Sequence, residues 1–397
     1  MEHKKELFTI YSILFTEHLG WSLILPFLPF FVTSLNASPI YVGIILSSFS
    51  FLQFFSAPII GKLSDKFGRK PMLLLSQSAT AISFLILANA NSVFMILLSR
   101  IVDGLIGSNM TLVNAYITDI VKGKERLKIF GYSGIVFSLG MFVGPAIGGF
   151  LAQISYSIPS YIAFALSALT IIFTVVFLKE SNPRKKDVKI AAADFFPLKD
   201  FLSGFRNENL RCIFFEFFFF IFSFNIFISS LSLISQYQLG LGTDDVGMFF
   251  MFISAVRIMF QIFAFPRLIS RFKRSQLIKS GMIIMIIGLL NIYFTTSLSG
   301  VYFTLLCFSI GGPLIRPSII SKISEQINDS QRGKYLGVSD SLASISQIIA
   351  PMLGAFVIEN YYPGILGIVS AAFMAVSLMF EIFNPCSKNH VKVQAEA

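Results

Sequence analysis

Twelve long apolar stretches restrict what this chain can fold into more than any other feature. They cover residues 7–33, 40–60, 72–90, 93–118, 129–152, 157–178, 212–236, 245–266, 276–296, 300–324, 333–358 and 363–383. About 20 apolar residues are enough for a helix to cross a bilayer, and only structures that satisfy their own backbone hydrogen bonds can lie there. We therefore predict an all-α membrane protein with twelve transmembrane helices, here numbered spans 1–12.

Composition and charge exclude several other classes of protein. Only 13% of the 397 residues are charged, against about 25% in soluble domains. The net charge of +10 does not indicate nucleic-acid binding, because the basic residues lie in the termini and in alternate loops. The three cysteines show no pairing or metal-binding pattern. No phosphate-binding loop or catalytic triad is present, so we expect neither an enzyme nor a cofactor.

The alternation of basic loops predicts the topology. Lys and Arg concentrate before span 1, at 61–70, 122–128, 179–211 and 267–274, and around 325–332, whereas the intervening turns lack them. Basic residues close to helix ends are retained in the cytoplasm. The pattern predicts a multi-pass protein of the plasma or inner membrane with both termini in the cytoplasm. Span 1 contains Pro26 and Pro29 and lacks a cleavage site, so we do not interpret it as a signal peptide.

The two halves of the sequence resemble each other. The polar segment 179–211 separates residues 1–178 from residues 212–383, and a polar tail follows at 384–397. A shift of 205 residues places Arg69 on Arg274, and a shift of 206 places Pro145 on Pro351 and Gly148 on Gly354. A six-helix shift preserves orientation, so we predict two parallel repeats, the architecture of an alternating-access transporter.

Three sequence motifs carry a resemblance to a known family. Gly61–Lys70 reads GKLSDKFGRK and matches G-x-L-x-D-x-x-G-R-R/K, Arg100–Gly104 matches R-x-x-x-G, and Gly140–Gly149 matches G-x-x-x-G-P-x-x-G-G. On these motifs the chain resembles the major facilitator superfamily, and within it the twelve-helix drug:proton antiporters that include the tetracycline exporters. Glu17 stands where the tetracycline exporters carry an acid, but spans 3 and 9 lack the acids of those proteins.

The resemblance implies proton-coupled efflux of a lipophilic or cationic small molecule by a monomer in the lipid bilayer. The proton gradient would supply the energy. The alternative is a proton-coupled importer of a sugar, an organic acid or another small solute. A receptor built on the same fold is a third hypothesis, although the short tail argues against a signalling domain.

Charged residues inside the spans are candidate functional residues, because charge is costly in a bilayer. The candidates for the proton-coupling and substrate cavity are Glu17, Arg100, Asp103, Asn114, Glu216, Arg257, Arg316 and Asp340. A carboxyl group in a low-dielectric interior favours its neutral form, so Glu17 is the expected proton acceptor. Arg100 and Asp103, three residues apart, form either a structural ion pair or, as the resemblance implies, part of the coupling site.

The second half leaves two interpretations open. Glu216, Arg316 and Asp340 lie at similar depths, which predicts either a structural ion-pair network or a coupling site. Arg257 has no obvious partner, and in the importer hypothesis Arg257 and Arg316 would bind an anionic group.

The two remaining motifs have expected mechanical roles. By resemblance, Gly61, Asp65, Gly68 and Arg69 form a cytoplasmic gate loop. Asp65 would lie near the start of span 11, around 332–335, and favour the outward-open state. The small residues of span 5 are expected to let spans 5 and 8 approach closely. They are Gly140, Gly144, Pro145, Gly148 and Gly149.

Overall fold

The computed structural model describes residues 4–121, 123–182, 205, 208–327 and 332–383. Within this part of the chain, twelve helices are long and apolar enough to cross a membrane, and no strand occurs. The prediction of a twelve-helix, all-α membrane protein is confirmed. Most of the predicted linker 179–211, the tail 384–397 and Cys386 lie outside the described residues.

Fifteen α-helices are described in chain order. They are α1 (Lys4–Ile24), α2 (Leu28–Ser34), α3 (Pro39–Phe67), α4 (Arg69–Ala88), α5 (Val93–Ile106), α6 (Asn109–Ile120), α7 (Gly123–Ile154), α8 (Ser157–Phe177), α9 (Glu208–Leu239), α10 (Thr243–Met259), α11 (Phe265–Arg271), α12 (Arg274–Phe294), α13 (Leu298–Glu325), α14 (Arg332–Asn360) and α15 (Ile365–Phe383).

Three predicted spans are interrupted rather than continuous. Span 1 divides into α1 and α2 beside Pro26, which removes a helical hydrogen bond. Span 4 divides into α5 and α6 at Gly107 and Ser108. Span 8 contains a π-helical turn at Phe260–Ala264 just before Pro266. Irregular backbone at membrane depth is tolerated where it is buried in protein or lines a cavity.

The predicted turn at 61–70 is largely helical. Helix α3 continues to Phe67 and α4 begins at Arg69, so Gly68 alone makes the reversal. Gly68 has a φ of +104°, a conformation that glycine adopts without steric cost. Gly61, which we expected to assist the turn, lies inside α3.

The chain packs as two compact units. One comprises residues 1–196 with 240–254, and the other comprises residues 197–239 with 255–397. In the first unit α1 packs against α7 and α8, and α4 packs against α5 and α8. In the second unit α9 packs against α14 and α15, and α12 packs against α13 and α15. These are the same pairings six spans later, as expected for parallel repeats.

Candidate proton-coupling site

Glu17 belongs to a hydrogen-bonded cluster inside the first unit. The side-chain amide of Asn109 on α6 donates to Glu17 Oε2 at 2.8 Å and to Thr80 Oγ1 on α4 at 3.1 Å. The Thr80 hydroxyl in turn donates to Asp103 Oδ1 at 2.8 Å. Two acids from α1 and α5 are therefore joined through two polar side chains in the interior of a membrane protein.

Arg100 provides the positive charge of this cluster. Its Nη1 atom lies 3.9 Å from Asp103 Oδ2, and its Nη2 donates to Ser83 Oγ at 3.1 Å. The guanidinium also lies 5.9 Å from the centre of the Phe84 ring, where the face of the aromatic ring attracts a cation. One arginine against two carboxylates leaves one negative charge, which a single bound proton neutralises.

The interruption of span 4 decides which asparagine joins the cluster. In a continuous helix at about 100° per residue, Asn114 lies on the face of Asp103, whereas Asn109 lies about 120° away from it. The break at Gly107 rotates α6 relative to α5 and brings Asn109 to Glu17. The Ser108 N–H released by the break is bound by Ser76 Oγ at 2.8 Å. Asn114 makes no side-chain hydrogen bond to any described residue.

The break also requires glycine at position 107. A Cβ atom there would overlap the carboxylate and the backbone carbonyl of Asp103.

Thr80 and Asn109 were missed by the sequence analysis, which considered charged residues first. A signal was present in the sequence. A glycine often follows the last residue of a helix, and serine often precedes the first residue of the next one, as Gly107 and Ser108 do here.

Arg69 organises the basic turn between α3 and α4. Its guanidinium contacts Asp119 at the end of α6 (Nε–Oδ2, 2.8 Å) and Asp65 (Nη2–Oδ1, 2.7 Å), and donates to the Ser64 hydroxyl. Glu180 accepts the backbone N–H groups of Arg69 at 2.8 Å and Lys70 at 3.1 Å. This carboxylate therefore caps the positive N-terminus of α4.

The second unit repeats part of this arrangement. Arg274 binds Glu325, with Nη1–Oε2 at 2.5 Å, and these residues lie 205 and 206 positions after Arg69 and Asp119. The turn is therefore built by the same ion pair in both units. The contact of Asp65 with span 11 was predicted around residues 332–335, and the side chains of 332–334 lie outside the described part of the structure.

Glu216 does not pair with Arg316. This differs from the ion-pair network that we considered for Glu216, Arg316 and Asp340. Lys322 Nζ lies 2.8 Å from Glu216 Oε2 and 2.5 Å from Glu381 Oε2. Glu216 is fully buried and Glu381 nearly so. We expected Lys322 only to flank the turn at 325–332, whereas the structure directs its side chain to these two acids. We call these three residues the buried triad.

Arg257, Arg316 and Asp340 form a looser group in the second unit. Arg316 is exposed on its unit and interacts electrostatically with both Arg257 and Asp340. Among the described residues, no carboxylate lies within 4 Å of either arginine. Pro313 and Pro317 flank Arg316 within α13, and each lacks the backbone N–H that a helical residue donates.

The glycines of span 5 pack against span 8, as predicted, and also against span 1, which we did not predict. A Cβ atom at Gly140 would come within 3.0 Å of Leu19 N, and one at Gly144 within 2.9 Å of Leu19 O. A Cβ atom at Gly148 would overlap the Leu23 carbonyl. Gly149 and the carbonyl of Pro145 face α10 at Gly247, and the Met141 carbonyl accepts a hydrogen bond from Ser254 of the same helix. The motif therefore holds α7 close to the helix that carries Glu17.

Replacing Gly148 with alanine is expected to destabilise the protein by about 1–3 kcal/mol, the usual cost of overpacking. Gly134 on the same helix is the matched control, since a Cβ atom there meets nothing within 4 Å. Gly134→Ala is expected to be neutral or to stabilise by about 0.5–1 kcal/mol. Thermal unfolding of the two purified variants in detergent tests this, and equal melting temperatures would contradict it.

Comparison with known proteins agrees with this architecture. The chain matches the sequence model described as Major Facilitator Superfamily over residues 10–351 and again over residues 217–396. It is 27% identical to the class H tetracycline resistance protein of Pasteurella multocida over 386 residues, covering 96% of each chain. It is also 27% identical to multidrug resistance protein 2 of Bacillus subtilis (strain 168) over 371 residues, covering 91% of each chain.

A solved structure shares the fold. The crystal structure titled "human organic anion transporter MFSD10 (TETRAN)" aligns with a TM-score of 0.70 at 22% identity, covering 96% of this chain and 100% of that chain.

Proposed function

Because the chain belongs to the Major Facilitator Superfamily, whose members are transporters rather than enzymes, we propose that it exports a lipophilic or cationic small molecule in exchange for protons. Transport would proceed by alternating access between the two repeats, 1–178 and 212–383. We place the protein in the plasma or inner membrane, as a monomer with both termini in the cytoplasm. The names of its relatives, which refer to tetracycline and multidrug resistance, support export and the substrate class.

The observation that carries the proposal is the connection between Glu17 and Asp103. Two acids share one arginine in an interior with few other charges, so the cluster is neutral when it holds one proton. Loss of that proton creates a negative charge that attracts a cationic substrate. Binding of a proton removes the charge and releases the substrate, which couples the two fluxes in opposite directions.

Everted membrane vesicles with a pH-sensitive dye test this function. A proton gradient is imposed, and cationic, neutral and anionic compounds are added in turn. Release of protons from the acidified interior on addition of a cationic or lipophilic compound supports antiport. If no compound releases protons, while intact cells take up an anion or a sugar, the export hypothesis is wrong.

The Arg69 cluster supports a role in gating. Its contacts join α3, α4, α6 and the segment after α8 at one end of the first unit. We propose that this cluster, with Asp65, stabilises the state that is closed to the cytoplasm, as the family resemblance implies.

A second candidate function is proton-coupled transport of an organic acid, including import. Arg257 and Arg316 favour it, because an intramembrane arginine without an ion-pair partner is expected to bind an anionic group. The name of the human organic anion transporter MFSD10, whose structure shares this fold, agrees with this second function. The same arginines also fit a substrate that carries both a cationic and an acidic group.

Arg257→Gln is expected to reduce transport of a carboxylate-bearing compound by at least about tenfold, since a hydrogen bond to a charged group contributes about 1.5–3 kcal/mol. Transport of its neutral amide is expected to stay unchanged. Arg267→Gln serves as the control, because Arg267 is an exposed arginine on α11. Equal effects on the acid and the amide would contradict anion recognition.

A further inference from the structure

A small polar cavity lies beside Glu17 in the first unit. Its volume is about 10 Å³, close to the minimum that holds one water molecule. Helices α1, α4, α6 and α8 enclose it. Its lining residues are Ile13, Thr16, Glu17, Gln77, Thr80, Asn109, Ser167 and Thr170.

Three buried polar atoms of this lining have no hydrogen-bond partner among the described residues. They are Gln77 Oε1, Asn109 Oδ1 and Ser167 Oγ. Gln77 and Asn109 are each only 2% exposed, so bulk water does not satisfy their oxygens. An unpaired buried polar group is costly, and native proteins usually satisfy such groups with ordered water.

Several of the donors around this cavity are already committed to other acceptors. Gln77 Nε2 already donates to Thr174 Oγ1 at 3.0 Å, and the Asn109 amide donates to Glu17 and Thr80. The hydroxyls of Thr80 and Thr170 donate to Asp103 and to the Ser167 carbonyl. Two amide oxygens and the Glu17 carboxylate therefore lie around the cavity. Among the described lining residues, the donors not yet committed are the hydroxyls of Ser167 and Thr16 and the second N–H of the Gln77 amide.

We propose that the cavity holds one water molecule that binds the transported proton together with Glu17, and that Gln77 is a positioning residue for this step. The inference rests on the proposed proton-coupled function. With Glu17 protonated, the water donates to Gln77 Oε1 and Asn109 Oδ1 and accepts from Glu17 and Ser167. Its two donors and two acceptors are then all used.

Deprotonation changes this balance. The Glu17 carboxylate then becomes a third acceptor, and the two hydrogens of a water molecule leave one amide oxygen unpaired. The water itself therefore makes one hydrogen bond more in the protonated state than in the deprotonated state. Proton transfer from Glu17 to the water would give a hydronium ion whose three donors match the same three acceptors.

The surrounding charges are few. Glu17 is the one charged residue among those that line the cavity. Asp103 and Arg100 on α5 are linked to it through Thr80 and Asn109. The neighbouring His18 on α1 directs its ring toward Phe137 of α7, with ring centres 4.7 Å apart. The residues that α4, α6 and α8 contribute to the lining are uncharged, so a change at Gln77 alters hydrogen bonding without removing a charge.

Gln77→Met tests the inference, since methionine has a similar length and no acceptor oxygen of this kind. The readout is the infrared band of a protonated carboxyl group in the purified full-length protein, followed over a pH series. The band that belongs to Glu17 is identified by its loss in Glu17→Gln. Without the Gln77 acceptor, the midpoint of this band is expected to shift to lower pH by about one unit, the value of one hydrogen bond.

Thr174→Val is the matched control. It removes the hydrogen bond from Gln77 Nε2 but leaves Gln77 Oε1 in place, so the midpoint is expected to remain that of the parent protein. An unchanged midpoint in Gln77→Met, or the same shift in both variants, would overturn the water site while leaving the proposed function intact. Absence of any Glu17-dependent band would overturn both.

Discussion

Replacing Glu17 with glutamine is expected to abolish proton-coupled transport in everted vesicles. Glutamine has the size of glutamate and still accepts the hydrogen bond from Asn109, but it cannot release a proton at any accessible pH. The cluster would then remain permanently in the equivalent of its protonated state. Proton release on addition of substrate is expected to fall to the level of vesicles without the protein.

Two further variants make this result specific. Glu6→Gln is the matched control, because Glu6 is a second buried acid on α1 outside the Asp103 cluster, and it is expected to retain transport. Asp103→Asn is expected to impair proton coupling, because it removes the carboxylate that lies beside Arg100 and is linked to Glu17. Normal proton-driven transport in both Glu17→Gln and Asp103→Asn would show that the mechanism is wrong.

Replacing Lys322 with methionine is expected to be the most destabilising single change in the second unit. It removes the only cation of the buried triad and leaves Glu216 and Glu381 facing each other without compensation. Removing one partner of a buried ion pair typically costs about 3–5 kcal/mol. The expected result is a lower melting temperature of the purified protein, measured as the loss of the monodisperse size-exclusion peak after heating.

The triple variant Glu216→Gln, Lys322→Met, Glu381→Gln separates charge from packing. Replacing a whole buried ion network with neutral groups of similar volume is often neutral or stabilising, so the melting temperature is expected to recover most of the loss. Lys279→Met, a partly buried lysine on α12 without an ion-pair partner among the described residues, controls for the loss of one positive charge. Equal destabilisation by Lys279→Met and Lys322→Met would contradict the assigned role of the triad.

The span count and the class of the fold were predictable because they depend on local properties. A run of about 20 apolar residues has few alternatives to a transmembrane helix, and glycine and proline patterns changed only the ends and interruptions of these helices. The repeat was predictable from matching positions, and the two units indeed use the same helix pairings. The Arg69–Asp119 and Arg274–Glu325 pairs belong to the same repeated pattern.

The sequence did not predict which side chains pair with each other or which helices pack together. Glu216 was grouped with Arg316 by depth alone, whereas the structure pairs it with Lys322 and Glu381. Depth restricts a residue to one layer of the bundle but leaves its direction around the helix axis open. The glycines of span 5 illustrate the same limit, since their close approach was expected but their partner helix, span 1, was not.

The sequence by itself determined that the chain spans a membrane twelve times, repeats after six spans and keeps a few acids and arginines inside. These properties follow from hydrophobicity and charge, which act on each segment separately. Only the tertiary structure decided that Asn109 rather than Asn114 binds Glu17, and that Gln77 completes a cavity beside it. The physical reason is that the break at Gly107 and Ser108 rotates α6 relative to α5. This rotation is set by the packing of α6 against α4 and α1, and the periodicity of the sequence does not predict it.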